Sequence, residues 1–343
     1  MLFPHLYLEI TSKCNLSCNH CCIGKKEYTE LTSIKNLLKE FSQKGGKYIT
    51  ISGGEPLLRE DWYRISKLSV DLGIKTTLFT NGTLIEKNLD LIMDLSLNIA
   101  ISIDGITEYM NDIHRGSKSY LKTMKGINIL LNNGLKNNLT ISFTPTSKNL
   151  GEIKGLVDFC LFHRIKHFHI SFLEYRGNVR INKDLQLSIQ EKIELMKELF
   201  SYSRNYKDHL IINLSESRDL FYNTFNFGKN LLKTPLGKTL KITSEGLVYT
   251  NPFVEGEFFL IGTYPSQTLN EILESPKLEL ISKYIRERPQ KIAKCRRCFY
   301  NPICCAGSYA LAYNKYGSIW FPDDYCQANQ AIFKKFLKEL VKK

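Results

Sequence analysis

Four of the ten cysteines in this chain crowd into one stretch, KCNLSCNHCC, at residues 13–22. Cys14, Cys18 and Cys21 leave gaps of three and two residues, and three thiolates on one loop can hold three irons of a cubane cluster. A structural zinc site would need a closed set of four ligands. Cys22 is a poor fourth ligand because adjacent residues rarely point at the same cluster. The spacing therefore predicts an iron with an open position, where a substrate or cofactor can bind.

A second set of cysteines lies near the carboxyl end, with gaps of two, five and twenty-one residues; its members are Cys295, Cys298, Cys304 and Cys326. Four thiolates make a closed site for either zinc or an iron–sulfur cluster, and the spacing alone does not choose between them.

The composition is that of an ordinary globular protein. The chain has 343 residues, of which 43% are hydrophobic and 24% charged. Ten cysteines are too few for a disulfide scaffold, the start MLFPHLYLEI lacks the basic region of a signal peptide, and no apolar run is long enough to span a membrane. These features predict a cytoplasmic protein without a membrane partner, in which clustered thiols serve metal or redox chemistry.

The net charge of +13 fits nucleic acid, an acidic peptide or an anionic small molecule as partner, and also fits a merely lysine-rich proteome. The densest basic stretch is RERPQKIAKCRRC at 286–298.

Residues 1–180 alternate between short apolar runs and helical periodicity. The predicted strands are 5–11, 47–52, 75–81, 98–104, 139–145 and 167–173, and the predicted helices are 32–44, 60–72, 84–95, 119–133 and 149–163. Six β–α units in a row predict a parallel sheet with helices outside it. Beyond residue 180 the sequence predicts a helix at 186–205, a hairpin at 238–252 that turns at Glu245-Gly246, and a final helix.

The informative motifs all follow predicted strands. The cysteine run follows the first strand, GGEP the second, TNG the third and SIDG the fourth. Because ligands of parallel α/β folds bind at the carboxyl ends of the strands, these motifs are expected to share one site.

With this placement, the chain resembles the radical S-adenosylmethionine (SAM) superfamily over residues 5–175. The resemblance implies that Cys14, Cys18 and Cys21 hold a [4Fe–4S] cluster and that His20 packs on the adenine of SAM. The segment SGGEP looks like the methionine-binding turn, and TNG, SIDG and HRG resemble further segments of the SAM pocket. The implied SAM-binding residues are Ser52, Gly53, Gly54, Glu55, Thr80, Asn81, Ser102, Asp104 and Arg115.

The resemblance also implies the fold and the chemistry. The fold class is α/β, a partial (β/α)6 barrel followed by an α+β iron–sulfur domain. The implied domains are the barrel at 1–180, a helical bridging region at 181–236 and an auxiliary cluster domain at 237–343. An electron from a flavodoxin- or ferredoxin-type donor cleaves SAM, and the 5′-deoxyadenosyl radical that results abstracts hydrogen from an unactivated carbon.

The second cysteine set resembles the outer auxiliary cluster of the SPASM domain. A full SPASM domain has three further cysteines for an inner cluster, but this chain has Thr250 and Ser308 where two of them are expected. The resemblance therefore implies two [4Fe–4S] clusters in total, in a reduced, twitch-like auxiliary domain.

The favoured substrate is a ribosomally synthesised precursor peptide, which the enzyme would epimerise or cross-link as a monomer. A small molecule such as a sugar or a tetrapyrrole is the alternative. An iron–sulfur protein that binds nucleic acid is a more remote one, because no aromatic-interleaved RNA-binding motif is present.

Three cysteines are left over. Cys160 falls on the apolar stripe of its helix and is predicted to pack in the core. Cys22 and Cys305 adjoin cluster ligands, and each is either a small packing residue or a catalytic thiol that returns a hydrogen atom to a substrate radical. His163, His167 and His169 are predicted to be ordinary core or surface residues.

Overall fold

A computed structural model describes residues 3–23, 32–214 and 236–341 of the chain. One sheet runs through these residues. Its strands are β1 His5–Thr11, β2 Tyr48–Gly53, β3 Lys75–Thr80, β4 Asn98–Ser102, β5 Leu139–Phe143, β6 His167–Ile170, β7 Ile211–Leu214, β8 Thr239–Ile242, β9 Leu247–Tyr249 and β10 Leu260–Thr263.

The helices of the first part lie between these strands. They are α1 Ile34–Gln43, α2 Trp62–Asp71, α3 Ile85–Leu95, α4 Glu108–Arg115, α5 Ser119–Asn132, α6 Glu152–Phe162 and α7 Ile189–Asn205. Those of the last part are α8 Leu269–Leu273, α9 Pro276–Lys291, α10 Ala293–Arg296, α11 Asn301–Cys304, α12 Tyr309–Tyr316 and α13 Cys326–Val341. In the described residues no helix is both long enough and apolar enough to cross a membrane.

The strand order is β10-β9-β8-β1-β2-β3-β4-β5-β6-β7. Strands β1 to β7 pair in parallel with their neighbours, and β8 pairs in parallel with the free side of β1. The hairpin of β8 and β9 is antiparallel, and Gly246 takes the positive φ of 84° at its turn. The predicted class is confirmed: the structure is a partial barrel of parallel β–α units with an α+β carboxyl-terminal part.

The core follows the predicted alternation. Leu6, Leu8 and Ile10 of β1 are fully buried, as are Ile153 and Cys160 on the inner stripe of α6. The prediction that Cys160 packs in the core is confirmed. Burial of these alternating side chains against the helices is what makes each apolar run a strand of an interior sheet.

The sequence analysis missed α4, the strands β7 and β10, and the helices α8 to α12. Strand β7 lies in the segment 181–236 that was expected to be helical, and it extends the sheet beyond β6. Each strand is only four residues long, too short for a periodic pattern to stand out. Because one sheet continues through all three predicted domains, the boundaries near 180 and 236 remain a prediction.

A chain of buried charges crosses the interior of the curled sheet. Lys241 on β8 places its Nζ 2.9 Å from Oε1 of both Glu9 on β1 and Glu255 beyond β9. Arg176, beyond β6, places Nη1 2.7 Å from the same Glu255 oxygen and also pairs with Glu174. Strands β1 and β6 are separated by four strands in the sheet, so these pairs connect parts of the barrel that the strand ladder leaves apart.

Replacing Lys241 with Met should destabilise the fold by about 3–5 kcal/mol, because it leaves the buried carboxylate of Glu9 without its cation, while the partly exposed Glu255 keeps Arg176. Thermal unfolding followed by circular dichroism measures this. Lys67→Met is the matched control, because Lys67 forms only a surface pair with Asp71, at 3.5 Å, worth at most ~1 kcal/mol. Equal melting temperatures for the two variants would contradict the structural role of the buried chain.

Candidate functional site

The cysteine loop leaves β1 and runs directly against the turn that follows β2. The amide of Gly54 donates to the carbonyl of Thr11 at 2.8 Å, and that of Glu55 donates to Lys13 at 2.7 Å. A Cβ added to Gly53 or Gly54 would lie 2.2 Å from one of these two carbonyl oxygens. The paired glycines therefore permit a backbone contact that any side chain would prevent.

Glu55 ties the same turn to the end of β3. Its carboxylate is fully buried and accepts hydrogen bonds from the hydroxyl of Thr80 at 2.7 Å and the amides of Asn81 and Leu57 at 2.8 and 3.1 Å. Burial raises the pKa of Glu55 to about 7, against the effect of these donors. Three donors leave one carboxylate lone pair available to a further donor.

The segment after β3 also reaches the cysteine loop, since the side-chain Nδ2 of Asn81 donates to Oδ1 of Asn15 at 2.8 Å. The Ser52 hydroxyl, by contrast, is already bonded to that of Tyr7 at 2.9 Å. Ser102 is buried at the end of β4.

Asp104, Arg115 and His20 form a buried group between β4, α4 and the cysteine loop. Oδ2 of Asp104 lies 2.6 Å from Nε of Arg115 and 3.2 Å from Nε2 of His20. Burial lowers the pKa of His20 to about 4, although Asp104 opposes the shift, so the ring is neutral at pH 7. The other ring nitrogen of His20 is buried and has no hydrogen-bond partner among the described residues.

The segment that follows β6 holds the cysteine loop from the other side. Asn178 donates from its backbone to the carbonyl of Cys21 at 2.9 Å and from its side chain to that of Cys18 at 2.8 Å. The side chain of Asn182 donates to the carbonyl of Asn19 at 2.7 Å. Gly177, at φ +53°, passes so close that an added Cβ would lie 2.3 Å from the Cys21 oxygen.

The structure thus places the turn at 53–55, Asn81, Asp104 and Arg115 against the loop that carries His20, with Ser52, Thr80 and Ser102 at or near the ends of β2, β3 and β4. The thiols of this loop are partly accessible. Cys14 is exposed, while Cys18 and Cys21 are half-buried. Burial raises the pKa of Cys18 to about 12, which Arg115 partly offsets. Such a thiol becomes a ligand only when a metal displaces its proton.

The four cysteines of the second set line one pocket, together with Lys294, Asp323 and Gln330. Oδ2 of Asp323 accepts from the amide of Ser308 at 3.0 Å and from Asn329 at 2.9 Å, whereas its Oδ1 is buried without a hydrogen-bond partner in the described structure. Burial raises the pKa of Asp323.

Arg288 fixes the loops that carry these cysteines. It is 1% exposed, and its guanidinium donates to four backbone carbonyls, those of Ala306, Gly307, Ile319 and Phe321, at 2.7 to 3.3 Å. One side chain therefore holds the segments that follow Cys304 and precede Cys326.

The leftover thiols are placed differently from each other. Cys22 is half-buried beside the charged pair Glu174 and Arg176, and desolvation raises its pKa to about 12. Cys305 is half-buried, takes a positive φ of 49°, and points its Sγ toward the carbonyl of Pro302 at 3.9 Å. Thr250 is fully buried, and its hydroxyl has no hydrogen-bond partner within residues 3–23, 32–214 and 236–341. The Ser308 hydroxyl caps α12.

Residues 8–160 match the model of the Radical SAM superfamily. This part of the chain is a Radical SAM domain. The chain is 24% identical to the Fe-coproporphyrin III synthase of Methanosarcina barkeri, over 94% of this chain and 87% of that protein. It is 26% identical to the AdoMet-dependent heme synthase of the same organism, over 93% and 94% of the two chains. The structure of anSMEcpe with bound AdoMet and a peptide matches its fold with a TM-score of 0.78 at 18% identity, covering 98% of each chain.

The protein is therefore a SAM-dependent radical SAM enzyme, and its site fits the groups this chemistry uses. In the parts of the chain described, no three His, Cys, Asp or Glu side chains converge as the ligands of a single ion would. A cubane instead gives each thiolate its own iron, so thiols spread around one pocket or along one loop suit a cluster.

The sequence analysis missed the residues that position this radical SAM site. Asn178 and Asn182 lie in an irregular segment beyond β6 and contact the cysteine loop across more than 150 residues of chain. Arg288 was counted only as part of a basic stretch. Long-range contacts of this kind leave no local pattern in the sequence.

Gly177→Ala should displace the cysteine loop, because a methyl group cannot occupy 2.3 Å from the Cys21 carbonyl and the left-handed backbone adds about 1–2 kcal/mol of strain. Iron retained after anaerobic reconstitution, measured together with the melting temperature, should fall. Gly151→Ala is the control, since an added Cβ there meets nothing within 4 Å. Iron retention and melting temperature unchanged in Gly177→Ala would show that the segment after β6 does not hold the loop.

Proposed function

We propose that the enzyme carries two [4Fe–4S] clusters and modifies a ribosomally synthesised peptide by hydrogen abstraction. Cys14, Cys18 and Cys21 would hold the cluster that binds SAM. The second cluster would be held by Cys295, Cys298, Cys304 and Cys326. The observation that carries the proposal is the pair of sulfur-lined sites, one on the loop that the SAM-site motifs surround and one in a single pocket.

When bound at the open iron, SAM supplies a 5′-deoxyadenosyl radical after one-electron reduction of the cluster. The protein's own residues would orient SAM. The backbone of Gly53 and Gly54 and the free lone pair of Glu55 would receive its amino group, and Arg115 would pair with its carboxylate. Thr80, Asn81, Asp104 and Ser102 would complete the pocket, and the neutral, buried His20 would pack on adenine.

The peptide substrate is supported by the similarity in fold, along the whole chain, to an enzyme whose structure holds AdoMet and a peptide. The carboxyl-terminal part is included in that similarity. Thr250 and Ser308 offer oxygen where an inner cluster would need thiolate, and hydroxyls are poor iron–sulfur ligands. The substrate would therefore meet protein side chains in that space rather than a third cluster.

A tetrapyrrole is the second candidate substrate. It is favoured by the two relatives whose names describe heme or iron-coproporphyrin synthases and which align with more than 90% of this chain. Tetrapyrroles carry carboxylates, and the net charge of +13 suits an anionic substrate equally well.

The positions of the spare thiols bear on the outcome of the reaction. Cys22 lies inside the barrel next to Glu174 and Arg176, whereas Cys305 lies in the auxiliary part and contacts its own turn. We therefore propose Cys22, rather than Cys305, as the thiol that would return a hydrogen atom if the enzyme epimerises its substrate.

The reconstituted enzyme should contain about eight irons, and the variant with Cys14, Cys18 and Cys21 replaced by Ala should keep about half of them. This variant should also lose reductive cleavage of SAM, measured as 5′-deoxyadenosine by chromatography. Zinc found beside four irons, or an iron content near twelve, would contradict the cluster assignment.

The substrate class is tested by adding, separately, iron-coproporphyrin III and the peptide encoded by a short reading frame beside the gene. We expect only the peptide to raise 5′-deoxyadenosine formation above its substrate-free rate. Epimerisation would leave the mass of the peptide unchanged in H2O and would introduce one deuterium in D2O. Cys22→Ala should prevent this incorporation of deuterium, and Cys305→Ala should not. A mass loss of two hydrogens would indicate cross-linking, and stimulation by the porphyrin alone would favour the second candidate.

A further inference from the structure

The basic stretch at 286–298 divides, in the structure, into residues with structural partners and residues facing solvent. Arg288 is buried and donates hydrogen bonds to four backbone carbonyls. Arg286 donates to the hydroxyl of Ser282 at 2.7 Å, and Lys291 pairs with Glu287 at 2.7 Å. These three cations are therefore occupied within their own domain.

The remaining three, Lys294, Arg296 and Arg297, are exposed around α10, and they alternate with Cys295 and Cys298 of the sulfur-lined pocket. Among the ion pairs of the described residues, neither arginine takes part in one. Next to them stands Phe299, whose side chain is 82% exposed although it is large and apolar.

A fourth cation reaches the same face from α13. Gln330 contacts the sulfur of Cys298 at 3.5 Å, and the exposed Lys334 lies one helical turn further along the same side of α13. Stacking of Tyr300 on Phe333, with ring centroids 5.9 Å apart, holds α13 against the segment after Cys298. Lys294, Arg296, Arg297, Lys334 and Phe299 together make up what we name the basic face.

We propose that the basic face docks an acidic one-electron carrier protein of the flavodoxin or ferredoxin type, which exchanges electrons with the second cluster. This rests on the proposed function, because it requires that cluster. Exposed like charges around one exposed aromatic side chain suit an acidic protein partner, since charge steers the encounter and the apolar group anchors it. Electron transfer falls steeply with distance, and Arg296 and Arg297 lie in the chain between two of the pocket cysteines, Cys295 and Cys298.

The proposed step is a single electron transfer in which no bond forms or breaks. The anionic flavodoxin hydroquinone would lose one electron to become the neutral semiquinone, and the cluster would gain that electron. RNA is the other macromolecule that a basic face attracts. The basic face as defined presents one exposed aromatic side chain, Phe299, rather than the series of stacking aromatic side chains that binds single-stranded RNA, which favours the protein carrier over RNA.

The test uses the full-length chain with Cys14, Cys18 and Cys21 replaced by Ala, so that only the second cluster can be reduced. Iron content and the electron paramagnetic resonance spectrum establish first that this cluster is present. Absence of the cluster would overturn the proposed function together with this proposal. If the cluster is present but its reduction by flavodoxin does not depend on the basic face, this proposal alone is overturned.

Reduction of the cluster by flavodoxin hydroquinone is then followed by stopped-flow absorbance. Adding Arg296→Glu and Arg297→Glu to this variant should lower the second-order rate constant of reduction at least tenfold at low ionic strength. It should also remove most of the salt dependence that the rate shows when both arginines are present. Reduction by dithionite, which needs no docking, should stay within twofold. The control pair Lys87→Glu and Lys122→Glu makes the same change of net charge at exposed sites on α3 and α5 and should leave the flavodoxin rate within twofold.

Phe299→Ser should weaken the reaction with flavodoxin while leaving its salt dependence in place. An unchanged flavodoxin rate in the Arg296 and Arg297 double variant would overturn the proposal, as would an equal loss in the control pair. Salt-sensitive binding of a random RNA that depends on the two arginines, with no effect on the flavodoxin rate, would assign the basic face to nucleic acid instead.

Discussion

The buried ion chain from Glu9 through Lys241, Glu255 and Arg176 to Glu174 is the interaction on which the rest of the barrel depends. It connects β1 and β8 to the segment after β6, which the strand order leaves far apart. Charges removed from water are tolerated only when paired, so each member of the chain restricts where the others can lie. Because the segment after β6 begins at this chain, its position is set before it reaches the cysteine loop.

That position matters because the cysteine loop has no secondary structure of its own. The loop carries the three thiols predicted to hold the SAM-binding cluster, and its shape comes from hydrogen bonds to the segments around it. The turn after β2, the end of β3, the end of α4 and the segment after β6 all bond to the loop. Rigid supports around an irregular loop are what a site needs when its reactive groups must be held in place.

In the carboxyl-terminal part, the loops that carry the cysteines are held by one buried arginine side chain. These cysteines lie on short helices and turns, and Arg288 collects the carbonyls of the intervening loops around one buried guanidinium. A guanidinium has five donors in a fixed plane, which suits it to hold several carbonyls where lysine could not. The same basic stretch thus supplies both the residue that shapes the pocket and the residues on its outer face.

Local patterns were enough to predict the six strands of the barrel and the helices α1, α2, α3, α5, α6 and α7, because alternation and helical periodicity act over a few residues. The class of enzyme came from the resemblance of the motifs to the radical SAM superfamily. Local patterns were also enough to place the motifs at one end of the sheet. The tertiary structure alone decided that Asn178 and Asn182 hold the cysteine loop, that Glu55 bonds to the β3 end, that Arg288 is structural, and that Cys22 and Cys305 lie in different surroundings. Four-residue strands such as β7 and β10 also emerged only there. The physical reason is that these features depend on contacts between residues distant in the chain, and such contacts are set by the packing of whole elements rather than by any local sequence.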